Sequence, residues 1–313
     1  MQFTPTKKSV FFALLAFFIA GGFFSSSLGK ESYGHFKDLG RPIAWPIKMF
    51  LFHPPLKETP ETHEISALLK VVKVYGENGP IPFRRIGRDF DGGYVVPETV
   101  IQNADAVFGY GVSDDISFEE ETASRFGKPS WGFDGTCPPV ATHHPLCHFV
   151  PQCIVSEQAY LQNPEGNGTF AQQISQFGLA NKKLFIKMDI EGNEYDTLPE
   201  VLLHAKNITG LVLEIHFTED SQIPQALALL KKLSYDFHLV HVHGNNCCLD
   251  HFVTSNAKGA IPRVLELTYI NKNLVHKCEL SQDQSHPTLL DMPNASKIAD
   301  LSFTILEDSS NCL

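Results

Sequence analysis

The stretch Leu184-Phe-Ile-Lys-Met-Asp-Ile-Glu-Gly-Asn-Glu-Tyr-Asp-Thr-Leu198 constrains the fold more than any other part of this chain. A short apolar run, the length of one buried strand, ends in carboxylates and a glycine and passes directly into a helical pattern. Runs of that kind belong to sheets covered on both faces, and strand-to-helix passages are the units of α/β folds. In an open α/β sheet, residues leaving such a strand stand at its carboxyl end, where ligands bind. Asp189 and Glu191 occupy those places.

The same alternation recurs on either side. Helical spacing of Ile65, Leu68, Leu69 and Val72 predicts a helix over 64–74. Strands are expected at 106–110, 131–134, 184–190, 210–217, 237–242 and 263–270, with a last short one at 302–306. Helices are expected at 117–126, 170–177, 194–204 and 223–233. Strands alternating with helices predict an α/β fold with a mostly parallel sheet and helices on both faces. Residues 61–313 are long enough for one domain with a substantial core. The segment 30–60 carries Pro42, Pro46, Pro54 and Pro55, which interrupt helices and central strands, and reads as a stem or N-terminal arm.

Residues 9–24 are almost wholly apolar and follow Lys7 and Lys8. As a helix they span roughly 24 Å, short of a hydrocarbon core of about 30 Å; the uncharged tail through Gly29 closes the gap. One reading is a signal-anchor helix over 9–29 behind a cytoplasmic tail of residues 1–8, a single-pass type II arrangement. The other is a signal peptide cleaved near the small residues Ser25, Ser26 and Ser27, giving a secreted protein. A buried helix is the remaining alternative. Both leading readings send the chain into the secretory pathway, to the lumen of the endoplasmic reticulum or Golgi. Asn-x-Ser/Thr triplets at Asn167, Asn207 and Asn294 suit that compartment. So do seven cysteines, all beyond residue 136, of which Cys147 and Cys153 are spaced to close a local loop. Net charge is −10, from 35 acidic and 25 basic residues, which argues against nucleic acid as a partner.

Several further segments carry candidate chemistry. Gly109 and Gly111 fall where a strand gives way to a helix, allowing a tight turn and close approach of a ligand to the backbone. The third glycine of the dinucleotide fingerprint is missing. Glu119 follows near the start of the helix, either facing a ligand or merely solvated. Asp134, after Trp131-Gly-Phe, ends the second strand, where a carboxylate can accept ribose hydroxyls or simply form a turn before Gly135. Arg84, Arg85 and Arg88 precede the turn Asp91-Gly-Gly-Tyr94, and Arg85 is a candidate for a cofactor carboxylate, with a solvent-facing turn as the alternative. Glu214 and His216 share one face of a strand because side chains alternate, and His241 and His243 reach a similar position on the next. His216 is the leading candidate for a general base and His243 the second, since imidazole titrates near neutrality. Asp189, Glu214 and His216 also offer a ligand set for Mg²⁺ or Mn²⁺. Capping by Asp189 and Glu191, with a hydrogen-bonded core His216, is the structural alternative. A zinc site among His143, His144, Cys147, His148 and Cys153 is the weakest candidate. No Ser-His-Asp order or nucleophile elbow is evident.

Taken together, residues 184–198, the Gly109–Glu119 segment, Arg84–Pro97, His243-Gly-Asn-Asn246 and Pro262–Tyr269 resemble the FkbM-type methyltransferases, close to the secreted or membrane-anchored methyltransferase-like proteins of animals. The resemblance implies a class I methyltransferase (Rossmann-like) fold with an antiparallel edge pair formed by the strands expected at 237–242 and 263–270. It implies S-adenosylmethionine bound by Gly109, Gly111, Glu119, Asp134, Asp189 and Arg85. It also implies methyl transfer to a glycan or small hydroxylated acceptor, with Asp189 among the catalytic groups. A non-catalytic glycoprotein binding module on a degenerate fold and a nucleotide-dependent oxidoreductase are the alternatives. The insert 136–153 departs from the family pattern and is expected to form a lid or a disulfide-pinned loop.

Overall fold

A computed structural model describes residues 59–217, 220–246, 252–255 and 259–305, all within the unit Pro55–Leu313. The expectations for 1–8, 9–29 and most of 30–60 lie outside the described residues. Among the described residues no helix is long and apolar enough to cross a membrane.

Seven strands form the central sheet: β1 Ala106–Tyr110, β2 Ser130–Phe133, β3 Cys147–Val150, β4 Leu184–Met188, β5 Ile208–His216, β6 Phe237–Gly244 and β7 Val264–Asn271. Their spatial order is β6-β7-β5-β4-β1-β2-β3. Neighbours from β3 to β5 run parallel, and β7 runs antiparallel to both β5 and β6. The molecule is therefore α/β with a mostly parallel sheet, flanked by helices. From β1 the chain winds outward through β2 and β3, then returns to β4 on β1's other side. The reversal between β1 and β4 is a topological switch point, and the crevice at the carboxyl ends there is where such sheets hold ligands.

The strands bury both faces because successive side chains alternate. Ala106, Phe108, Ile186, Leu211 and Leu213 join one core with Phe170, Ile174, Leu198 and Leu230. Val107, Phe185 and Val212 join another with Val100, Ile101 and Phe118. Each fully buried side chain of this kind contributes roughly 1.5–3 kcal/mol relative to exposure. Phe118 stacks on Phe185 at 6.1 Å, which fixes the helix carrying Glu119 against the second face. That helix, Ser117–Phe126, has Glu119 and Glu120 in its first turn and Arg125 in its last, both favourable to its dipole. Gly127, at φ +64, ends it.

Three sequence expectations shift. The helix expected over 64–74 is Pro60–Leu68, begun by a reciprocal Thr59–Thr62 capping box with Pro60 at its first position. Residues Val72–Gly76 instead form a strand paired with Lys277–Leu280, as the alternating β-branched Val72 and Val74 favour. The helix expected over 194–204 ends at Val201 and tightens into a 3₁₀ turn, Leu202–Asn207, after Pro199 within it. The insert 136–153 contributes the edge strand β3 rather than forming only a loop. Cys147 is buried beside Val112, Ile116 and Ala123, while Cys153 pairs with Asn167 in a two-residue ladder. Cys137, Cys147, Cys153 and Cys278 are all free thiols. Asn294 is 5 % exposed and donates to Glu266 at 2.7 Å, so its side chain lies inside the fold.

Candidate functional site

Register aligns the polar residues of four strands on one face at the carboxyl end of the sheet. Lys187 lies opposite Gly109 across β4 and β1. Glu214 lies opposite Glu266, and Glu266 opposite His243. Asp189 follows two residues after Lys187. The helix Ser117–Phe126 and the turn Gly87–Tyr94 approach the same region.

At the switch point the glycines serve the protein's own packing. A Cβ on Gly109 would stand 1.6 Å from Glu119 Oε1, and one on Gly111, at φ +76, would stand 1.5 Å from the Asp189 carbonyl oxygen. Gly109 thus makes room for the Glu119 carboxylate, which is 1 % exposed and whose Oε1 has no hydrogen-bond partner. Burial raises that carboxyl's pKa and nearby Lys187 opposes the rise. Lys187 Nζ donates to the Gly111 carbonyl at 2.7 Å and lies 5.6 Å from the centre of the Tyr94 ring. Tyr94 hydroxyl donates to Asp189 Oδ2 at 3.2 Å, and Asp189 Oδ1 is left without a partner. Burial, ahead of the opposing Lys187 charge, raises the Asp189 pKa. The helix Glu194–Val201 has Asn193 at its N-cap with no side-chain cap bond, so neither Asp189 nor Glu191 caps it.

Asp134 is at the end of β2, as expected, but its oxygens are taken. Oδ1 accepts from Thr136 N (2.7 Å) and Thr136 Oγ1 (2.6 Å), and Oδ2 from Ser113 N (2.8 Å). Burial raises the carboxyl's pKa, yet these bonds leave it below its ordinary value. Asp134 here clasps its own loop, and a bidentate ribose contact would require Thr136 to yield. Arg85 donates to the Phe90 carbonyl through Nη2, while its buried Nε and Nη1 have no partner. Arg84 and Arg88 are committed to Glu98 and Asp115, at 2.6 and 3.2 Å. The basic trio therefore separates into two paired side chains and one with open donors.

At the ends of β4 and β5, His216 lies among carboxylates. Nδ1 is 3.2 Å from Glu194 Oε1, and Nε2 is 3.3 Å from Glu214 Oε1 and 3.4 Å from Glu191 Oε2. Burial alone would lower its pKa, but Glu194 and Glu214 raise it to about 11. Burial, then the Asp189 charge, raises Glu214 to about 8. Both ring nitrogens of His216 thus face carboxylates, and neither is open to take a substrate proton. Both ring nitrogens of His243 are likewise engaged: Nδ1 meets Glu266 at 2.9 Å and Nε2 meets Asp300 at 3.1 Å. Despite burial, those carboxylates raise it to about 10, and it serves as a clamp for the 300 region.

Among the described residues, potential metal-ligand atoms come together at Asp189, Glu214 and His216, all within 4.8 Å of one another. The zinc cluster does not assemble there: His148 packs on Trp131 and burial pushes the Cys147 thiol up to about 12. Sequence reading assigned no site role to Lys187, nor to Tyr94 and Asn245 individually although both lie in segments singled out above; Asn245 donates to Glu214 at 2.9 Å. Lys187 carried the clearest signal, a charge inside an apolar strand that needs a buried partner. No family model, curated protein or solved structure matches the chain.

Proposed function

We propose that this chain is an S-adenosylmethionine-dependent O-methyltransferase of the secretory pathway, built on a class I methyltransferase-like sheet and acting on a glycan or small hydroxylated acceptor. The antiparallel edge pairing of β7 with β6 supports the fold assignment, because the sequence resemblance implies that pairing. The observation that carries the reading is a set of unsatisfied polar atoms on groups that border the β1–β4 switch point and the turn beside it. Arg85 Nε and Nη1 are donors without acceptors, and Glu119 Oε1 is an acceptor without a donor. Orphaned buried polar groups cost about 1–3 kcal/mol each unless a partner arrives. A ligand with both a carboxylate and hydroxyl or ammonium donors fits that pair.

When bound, the cofactor supplies a methyl group activated on a sulfonium. Arg85 holds its carboxylate, Glu119 accepts from its donors, and Lys187 with Tyr94 fixes the strand ends between them. Of the three expected catalytic groups, His216 and His243 have both ring nitrogens against carboxylates. Asp189 alone keeps an open acceptor atom, Oδ1.

The test incubates the purified chain with a labelled methyl donor and a panel of glycans, lipids, small hydroxylated metabolites and peptides. The reading predicts label in a hydroxylated acceptor, abolished by Arg85→Ala. Binding of a nicotinamide dinucleotide in place of S-adenosylhomocysteine would favour the oxidoreductase. A folded chain binding neither would favour a non-catalytic glycoprotein module.

A further inference from the structure

Beyond the cofactor cradle, the reacting end holds an excess of acid that its own residues do not neutralise. Asp189, Glu191, Glu194 and Glu214 gather around one histidine. Glu194 is fully buried and Glu214 is 4 % exposed, yet Glu194 Oε2, Glu214 Oε2 and Asp189 Oδ1 have no partner. A buried carboxylate oxygen facing other carboxylates is costly unless a cation joins them. Ligand atoms each about 2.1 Å from one ion stand roughly 3–4 Å apart. The separations here, 3.3 Å between His216 Nε2 and Glu214 Oε1 and at most 4.8 Å within the triad, are near that scale.

Two further residues complete the design. Glu194 accepts from the Ile190 amide at 3.2 Å and contacts His216 Nδ1 at 3.2 Å. It therefore lies behind the ring and leaves Nε2 facing the other carboxylates. A buried carboxylate on the far nitrogen is the arrangement that fixes the tautomer and orientation of a metal-bound histidine. Glu191 is exposed and adopts φ +56, a left-handed backbone uncommon for a non-glycine residue and frequent where function maintains strain. That turn brings Glu191 Oε2 to 3.4 Å from His216 Nε2.

We propose that Asp189, Glu214 and His216 bind one hard divalent cation of the Mn²⁺ or Mg²⁺ class, with Glu194 as the positioning residue for His216 and Glu191 as an additional ligand from the solvent side. Oxygen-dominated donors without a thiol suit those ions. Asp189 is then a ligand rather than a proton acceptor, and the bound ion lowers the pKa of a hydroxyl held against it. The site stands independently of the cofactor: cation binding without S-adenosylhomocysteine binding would overturn the proposed function and leave this inference intact.

The test uses the full chain, stripped of metal with EDTA and titrated with Mn²⁺, reading free ion by electron paramagnetic resonance. One Mn²⁺ per chain is expected, displaced by excess Mg²⁺, with electron spin echo modulation from a directly bound ¹⁴N. His216→Gln should remove the ¹⁴N signal, and Glu214→Gln should weaken binding more than tenfold. Glu194→Gln should weaken binding about 10–100-fold and alter the ¹⁴N coupling, a change that loss of stability alone does not produce. Folded wild-type protein that binds no Mn²⁺ at millimolar concentration overturns the proposal. So does binding without ¹⁴N modulation, or binding of Zn²⁺ only, and these wild-type measurements decide the matter even if every variant fails to fold.

Discussion

Gly109 and Gly111 differ physically although the sequence presents them as one motif. The atom nearest a Cβ on Gly111 is backbone, the Asp189 carbonyl oxygen, and the backbone there is left-handed; the atom nearest one on Gly109 is the end of a side chain, Glu119 Oε1. A backbone atom in a packed sheet cannot retreat, whereas a carboxylate can rotate away. Gly111→Ala should therefore lose more than about 2 kcal/mol in urea unfolding, and Gly109→Ala about 1 kcal/mol or less while displacing Glu119. Equal losses would refute the distinction. The same scale shows what single residues disclosed in advance. Asp189, Glu214 and His216 were recognisable as ionisable side chains at strand ends or in an apolar strand. That His216 is held from behind was not, because the contact comes from Glu194, which reaches it from the helix before β5 and lies 22 positions away.

At the scale of elements, β6, β7 and the segment from 284 to 305 act as one unit. His243 joins Glu266 and Asp300, His241 meets Asp291 at 3.1 Å, and Asn246 donates to the carbonyls of Ala295, Ile298 and Ala299. A histidine whose folded pKa, about 10, exceeds its unfolded value of about 6.5 adds stability that is full below pH 6.5 and lost as pH rises through 10. His243→Gln should thus lower the melting temperature most at pH 6–7, with the gap closing towards pH 10. For a chain of this size each kcal/mol is worth about 2–4 °C. A gap independent of pH would show that the ring acts by packing alone. Strands β1, β4, β5 and β6 were legible from apolar runs because tertiary burial and local pattern agree there. The first helix was legible only in part, since Val72 fits helical spacing and also alternates with Val74, and the pairing of that stretch with Lys277–Leu280 is set some 200 residues away.

At the scale of the molecule, alternating strands and helices disclosed the mostly parallel sheet, while its strand order emerged only from the structure. The position of the switch point between β1 and β4 follows from that order, and with it the convergence of Gly109 from one segment with Lys187 and Asp189 from another. The central claim is that this crevice holds a methyl donor, and Glu119 tests it best. Glu119→Gln keeps the shape above Gly109 but removes the charge whose Oε1 has no partner in the protein. Calorimetric titration of S-adenosylhomocysteine into the full chain should show one site, weakened at least about tenfold, or 1.4 kcal/mol, by Glu119→Gln, with unfolding stability changed by less than about 1 kcal/mol. A folded wild-type chain giving neither binding heat nor thermal shift at millimolar ligand would contradict the account, as would equal affinity in the two proteins.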